Sequence, residues 1–225
     1  TYLFYLPLYG PLTTDYHPYS TLPFFISLTH LYALKGSHRK ALIATILGLS
    51  TNEIAAILYA FYGLCLFIKG SKKLAKMIIS LSIGWLISAF ITVRTINPVQ
   101  WKYYLDYQFL ESIFVPRAST TFPLINPDAL PYIILLYGLL LFFPILSPIE
   151  GILSIAPWLL IVILVNHVEY TSPYYQYSAL ISAQLFLALI TALKKFKASK
   201  AITLALIILN FSSAIILGPI GFGAL

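Results

Sequence analysis

Charge is what this chain has least of. Only 9% of its 225 residues are Asp, Glu, Lys or Arg, and 60% are hydrophobic. Soluble domains carry roughly 25% charged residues, so an ordinary soluble domain is excluded. Cysteine is nearly absent. The single Cys65 rules out an intrachain disulfide and any CxxC redox or zinc pair. No two histidines stand at helical spacing for haem or metal, and GxSxG and phosphate-binding glycine loops are missing. The first residues, Thr1-Tyr2, have neither the basic region nor the cleavage site of a signal peptide. No internal repeat or low-complexity segment stands out, and no polar stretch is long enough for a second domain. Residues 1–225 therefore read as one integral membrane domain. Scarce Cys and Met beside abundant Ile give an archaeal or thermophile-like composition.

What the chain has is apolar runs, at 18–34, 41–51, 54–68, 74–93, 130–146, 151–165, 174–193 and 201–217. Several approach the ~20 residues that span a bilayer. The expected fold is an all-α, polytopic transmembrane helical bundle of about eight membrane segments. The net charge of +7 lies mostly between the runs, so it reports orientation in a lipid bilayer and not nucleic-acid binding. The basic clusters are Lys35, Arg39 and Lys40; Lys69, Lys72, Lys73 and Lys76; and Lys194, Lys195, Lys197 and Lys200. Cytoplasmic loops hold the Lys and Arg excess.

If residues 41–68 formed one tilted helix, the 14 basic residues would split eight to six across the membrane. A broken hairpin there splits them eleven to three, leaving Arg94, Lys102 and Arg117 opposite the rest. The hairpin is therefore expected, with "STNE" (residues 50–53) as its turn. Its arms reach only ~16 and ~22 Å, against a hydrocarbon core of ~30 Å. Loops 35–40, 69–76 and 194–200 are then cytoplasmic and loop 94–129 extracytoplasmic. Asp15, Asp106, Glu111, Asp128 and Glu169 fall outside with His17 and His167, and Glu53 points that way. Glu150, in "SPIEG", is the one acid on the basic side. "WKYYLDYQFLESIF" (residues 101–114) reads as a short interfacial helix.

Each candidate residue has a structural and a functional reading. Glu53 is an ionisable residue at membrane depth, which marks function; equally, Thr51 or Asn52 caps the second arm and Glu53 sits in its first turn. Asp15 and His17 before Pro18 fit ordinary helix-start chemistry. Arg94 and Arg117 suit phosphate or carboxylate, and Arg94 also suits a helix C-terminus. Tyr174, Tyr175 and Tyr177 fit an aromatic belt.

The order of "YLPLYGPLTTDYHPYSTLPFFISLTHLYALKG", "STNEIAAIL" and "VNHVEYTSPYYQYSALISAQLFLALITALKK" resembles the domain of unknown function 2079 family of predicted membrane proteins. That family is grouped with the GT-C superfamily of membrane glycosyltransferases. The resemblance covers most of residues 1–220, and its most specific parts are Asp15-Tyr16-His17-Pro18 and Tyr174-Tyr175-Gln176-Tyr177-Ser178. It implies sugar transfer from a polyprenyl-phosphate donor on the outer face, often with a divalent metal. Asp15, His17 and Glu53 would be catalytic, and Arg94, Arg117, Tyr175 and Tyr177 would bind substrate. Three departures stand beside it. The family's Thr-Lys-Glu-Asp is Thr51-Asn52-Glu53-Ile54 here, and its Tyr-His-Tyr is Tyr175-Gln176-Tyr177. The first outer loop, with the family's expected catalytic aspartate, would precede Thr1. These departures suit a second reading, a non-catalytic integral subunit anchoring a larger membrane complex such as a respiratory one. A small transporter would explain a broken hairpin, but no inverted repeat accompanies it.

The topology is testable with single cysteines at Ser37, Ser71, Ser119 and Ser199 in a Cys65→Ala background and an impermeant thiol reagent. Ser37, Ser71 and Ser199 are expected to label from one side and Ser119 from the other. Labelling of Ser71 from the side that labels Ser119 overturns the hairpin.

Overall fold

A computed structural model describes residues 18–96, 126–164 and 178–217. Among these residues every regular element is helical. A 3-10 turn at Pro18–Thr21 leads into α1 (Leu22–Leu34), followed by α2 (His38–Leu49), α3 (Glu53–Ile68) and α4 (Lys72–Ile96). After residue 126 come α5 (Ala129–Gly138), a 3-10 turn at Phe143–Leu146, α6 (Pro148–Gly151), a second 3-10 turn at Leu153–Ile155, and α7 (Ala156–Leu164). The last described part holds α8 (Ala179–Lys195) and α9 (Lys200–Leu217).

The break expected near Glu53 is present. Helix α2 stops at Leu49, and α3 starts at Glu53 under an Asn52 cap. The chain also folds back there. A Cβ on Gly48 would lie 2.6 Å from the Tyr59 ring, whereas one straight helix would separate those residues by about 16 Å. Only a residue without a side chain lets the arms approach this closely.

The eight expected membrane segments are not matched by eight long helices. Among the described residues, α4 alone is both long and apolar enough to cross a membrane, while α1, α3, α5 and α9 are apolar but shorter. Run 74–93 became α4. Runs 130–146 and 151–165 became fragments, for local reasons. Pro144, Pro148 and Pro157 cannot donate a backbone N–H, and consecutive Leu141 and Phe142 have φ of 52° and 58°. That left-handed conformation costs L-residues about 1–2 kcal/mol each, so their surroundings must hold it.

The sequence also holds a repeat that no global pattern revealed. "KGS" ends α1 (Lys35-Gly36-Ser37) and ends α3 (Lys69-Gly70-Ser71). Gly36 and Gly70 have φ of 67° and 92°, and the flanking hydrogen bonds match one for one: Ser37 N to Tyr32 O and Ser71 N to Leu66 O, then Ala41 N to Ser37 O and Ala75 N to Ser71 O. These are helix stops that favour glycine in the left-handed region. The helices pair in the same register too. Thr29 meets Thr45 in the first hairpin, and Gly63 meets Ile79, 34 residues on, in the second. The motif is easily missed because side chains diverge around the turns while the backbone chemistry is kept.

The hairpins stack with α1 parallel to α3: Thr29 lies beside Tyr59, and His30 beside Tyr62. Helix α8 packs on α1 and on the 143–151 fragments. Asn126 bonds to the Val162 and Ile163 carbonyls, so the start of α5 meets the end of α7. The core is Leu, Ile, Ala and Tyr from these helices, centred on the fully buried Trp158.

The fragments leave one glycine no alternative. A Cβ on Gly151 would overlap the Pro144 carbonyl and press on Ala188, whereas one on Gly84 meets nothing within 4 Å. Gly151→Ala is expected to cost about 1–3 kcal/mol, as overpacking does. Gly84→Ala should be neutral or slightly stabilising, since alanine is the better helix former. Thermal unfolding of both variants in one detergent checks this; equal melting temperatures would refute it.

Candidate functional site

Two of the sequence candidates lie within the described residues. Glu53 is the first residue of α3 and is exposed. The Asn52 side chain accepts from Ile54 N at 2.6 Å, so Asn52 is the cap and Glu53 sits in the first turn, where a helix dipole favours an anion. The capped turn holds the Glu53 Cα at the helix start and leaves its side chain exposed. Arg94 is exposed in the last turn of α4, the terminus where free carbonyls favour a cation. Asp15, His17, Arg117, Tyr175 and Tyr177 lie outside the described residues, as does the 101–114 segment.

Glu53 and Arg94 share one end of the helix stack but form no ion pair. The contact of Gly63 with Ile79 sets α3 antiparallel to α4. Glu53 is then level with about residue 89, and Arg94 lies about 7 Å further along the axis. The 3-10 turn from Pro18 begins at the same end, because α1 runs parallel to α3. Among the described residues, no three His, Cys, Asp or Glu side chains gather closely enough to hold a metal ion. The divalent metal implied by the resemblance therefore has no fitting ligand set among these residues.

Two polar arrangements were not legible beforehand. The first lies between α1, α2 and α3. Thr29 Oγ1 donates to Phe25 O at 2.8 Å, and Thr45 Oγ1 donates to Ala41 O at 3.0 Å. With both threonine protons committed, the Tyr59 hydroxyl, 3.4 Å from Thr29 Oγ1, is the donor to Thr29. His30 Nδ1 lies 3.0 Å from the Tyr62 hydroxyl. Each group has a partner, as buried polar groups require, so the cluster glues helices together. Its sequence signal was Thr-His inside an apolar run facing tyrosines three residues apart, Tyr59 and Tyr62.

The second arrangement is the ion pair of Lys69 with Glu150, the only one among the described residues. Glu150 is 8% exposed. Burial by itself pulls the Lys69 ammonium below the usual lysine value, so leaving either charge alone here is costly. The pair pins the α3–α4 turn to α6. Around it, side chains take up carbonyls freed by the fragmented backbone: Cys65 Sγ donates to Ile149 O at 3.0 Å, Tyr137 to Gly151 O, Ser154 to Glu150 O and Asn210 to Leu139 O at 2.6 Å. The sequence placed Glu150 on the basic side but gave no sign of its partner 81 residues away.

Among the described residues all regular structure is helical, and one apolar helix is long enough to cross a bilayer, as an all-helical membrane protein requires. The chain belongs to the DUF2079 family of predicted membrane proteins, which matches residues 1–219. No curated protein and no solved structure matches it.

A double-mutant cycle measures the Lys69–Glu150 pair. Lys69→Met and Glu150→Gln should each destabilise the fold, and the double variant should lose less than their sum, by about 1–3 kcal/mol. Additive losses in urea or thermal unfolding would mean that the pair does not secure the fragments.

Proposed function

We propose that this chain is a multi-pass membrane protein of GT-C type that transfers a sugar from a polyprenyl-phosphate donor at its outer face. The observation that carries this reading is the exposed, unpaired Glu53, held on a capped helix start at the same end as Arg94 and as Pro18, which directly follows His17 in sequence. Glu53 is the general base, or orients one, for the acceptor hydroxyl, as a positioned carboxylate can. Arg94, with Arg117, offsets charge on the departing lipid phosphate. Asp15 and His17 complete the catalytic set, and Tyr175 and Tyr177 stack on the sugar. In this topology the basic turns 35–40, 69–76 and 194–200 are cytoplasmic and loop 94–129 is extracytoplasmic. The parallel α1 and α3, each ending at a Lys-Gly-Ser turn, support the shared side of the first two.

One observation favours the second reading, a non-catalytic subunit anchoring a larger membrane complex. The polar groups between α1, α2 and α3 are paired with one another and bind the helices together. The two readings differ in what Glu53 does. The purified chain in liposomes, supplied with dolichyl-phosphate carrying radiolabelled mannose or glucose, is expected to release label as free sugar, with water taking the place of the acceptor hydroxyl and dolichyl-phosphate leaving. Glu53→Gln should slow release about 100-fold or more with an unchanged melting temperature, because Asn52 and not Glu53 caps the helix. Release unaffected by Glu53→Gln rejects the role given to Glu53, and no release from the parent protein rejects catalysis by this chain and leaves the anchoring role.

A further inference from the structure

We propose that the groove between α3 and α4 is a binding site for an anionic phospholipid of the leaflet nearest the Lys-Gly-Ser turns. The groove is a shallow, open depression of about 340 Å³ lined by Leu64 and Phe67 of α3 and by Lys76, Ile79 and Ser80 of α4. Its floor is apolar and open along the helices, the shape an acyl chain fills. Its upper end carries a lysine and a hydroxyl one helical turn apart, a spacing that puts both on one face. This inference is independent of the sugar-transfer reading.

Two observations identify the occupant. The first is charge. Lys72, Lys73 and Lys76 are exposed in the first turns of α4. The nearest acid in this part of the fold, Glu150, is already taken by Lys69, and no ion pair joins the other three to any described carboxylate. They also crowd the positive end of a helix dipole, where cations are disfavoured. An anion is what this end lacks, and the phosphate of an anionic lipid lies at the depth where α4, long enough to span the bilayer, emerges from it. The second is the repeat. The equivalent face of the first hairpin, at His30 and Thr45, is covered by α3: His30 bonds to Tyr62, and Tyr59 packs over Gly48 and Thr29. The second hairpin leaves the corresponding Leu64 and Ile79 face as an open groove. Where the first copy meets a helix carrying phenol hydroxyls, the second presents lysines, which suit a charged headgroup.

The test uses the full chain in nanodiscs of phosphatidylcholine with a minor fraction of phosphatidylglycerol, with retained lipid read by native mass spectrometry. The parent protein is expected to retain phosphatidylglycerol preferentially. Lys72→Gln/Lys73→Gln/Lys76→Gln should weaken retention about tenfold, whereas removing equal charge with Lys194→Gln/Lys195→Gln/Lys197→Gln should leave it unchanged. Ser80→Phe fills the groove without altering charge and is expected to displace the lipid too, which keeps the test decisive if the triple variant fails to fold. Equal losses from the two lysine triples, no preference in the parent, or displacement by millimolar inorganic phosphate would overturn the proposal. So would a photoreactive residue at Phe67 that crosslinks stoichiometrically to a second polypeptide, since the groove would then seat a helix.

Discussion

A carbonyl that loses its helical partner inside packed protein has no water to turn to, and leaving it bare costs about 1–3 kcal/mol. This constraint governs the middle of the molecule. Between Leu139 and Ile155 the backbone breaks repeatedly, and the freed carbonyls of Leu139, Ile149, Glu150 and Gly151 are each met by a side-chain donor. The donors come from α9, α3 and α5 and from within the broken stretch itself. The small residue Gly151, the Lys69–Glu150 pair and the packing of α8 all serve that segment. Fragmented helices are tolerable here because protein surrounds them.

The first four helices follow a simpler plan. One hairpin design is used twice, with a lysine, a left-handed glycine and a serine at each turn, and the two copies stack through hydroxyl and imidazole contacts. Exposed apolar side chains such as Phe24, Ile87 and Phe90 are not faults in a family of membrane proteins. They are a surface that suits contact with lipid.

The sequence revealed what depends on composition and on short-range chemistry. The all-helical class followed from apolar runs. The hairpin break at Ser50–Asn52 followed from charge asymmetry and polar residues, and a cap at Thr51 or Asn52 from their place before an apolar arm; the choice of Asn52 did not. Contacts between distant positions were not legible. Nothing local to "SPIEG" points to Lys69, and nothing near Asn210 points to Leu139. Proline inside runs 130–146 and 151–165 was visible, but hydropathy alone counts such runs as whole spans. For the candidate site, the carboxylate at Glu53 was found from its incongruity, whereas its exposure depended on how the capped turn sits.

The bond from Asn210 to the Leu139 carbonyl joins groups 71 residues apart, with the acceptor made first. Cys65 reaches Ile149 across 84 residues, with the donor made first. During synthesis the broken stretch therefore has one of its anchors waiting and another still to be translated. It cannot complete its bonding until α9 is made, so a ribosome that stops before Asn210 leaves the Leu139 carbonyl without its side-chain donor.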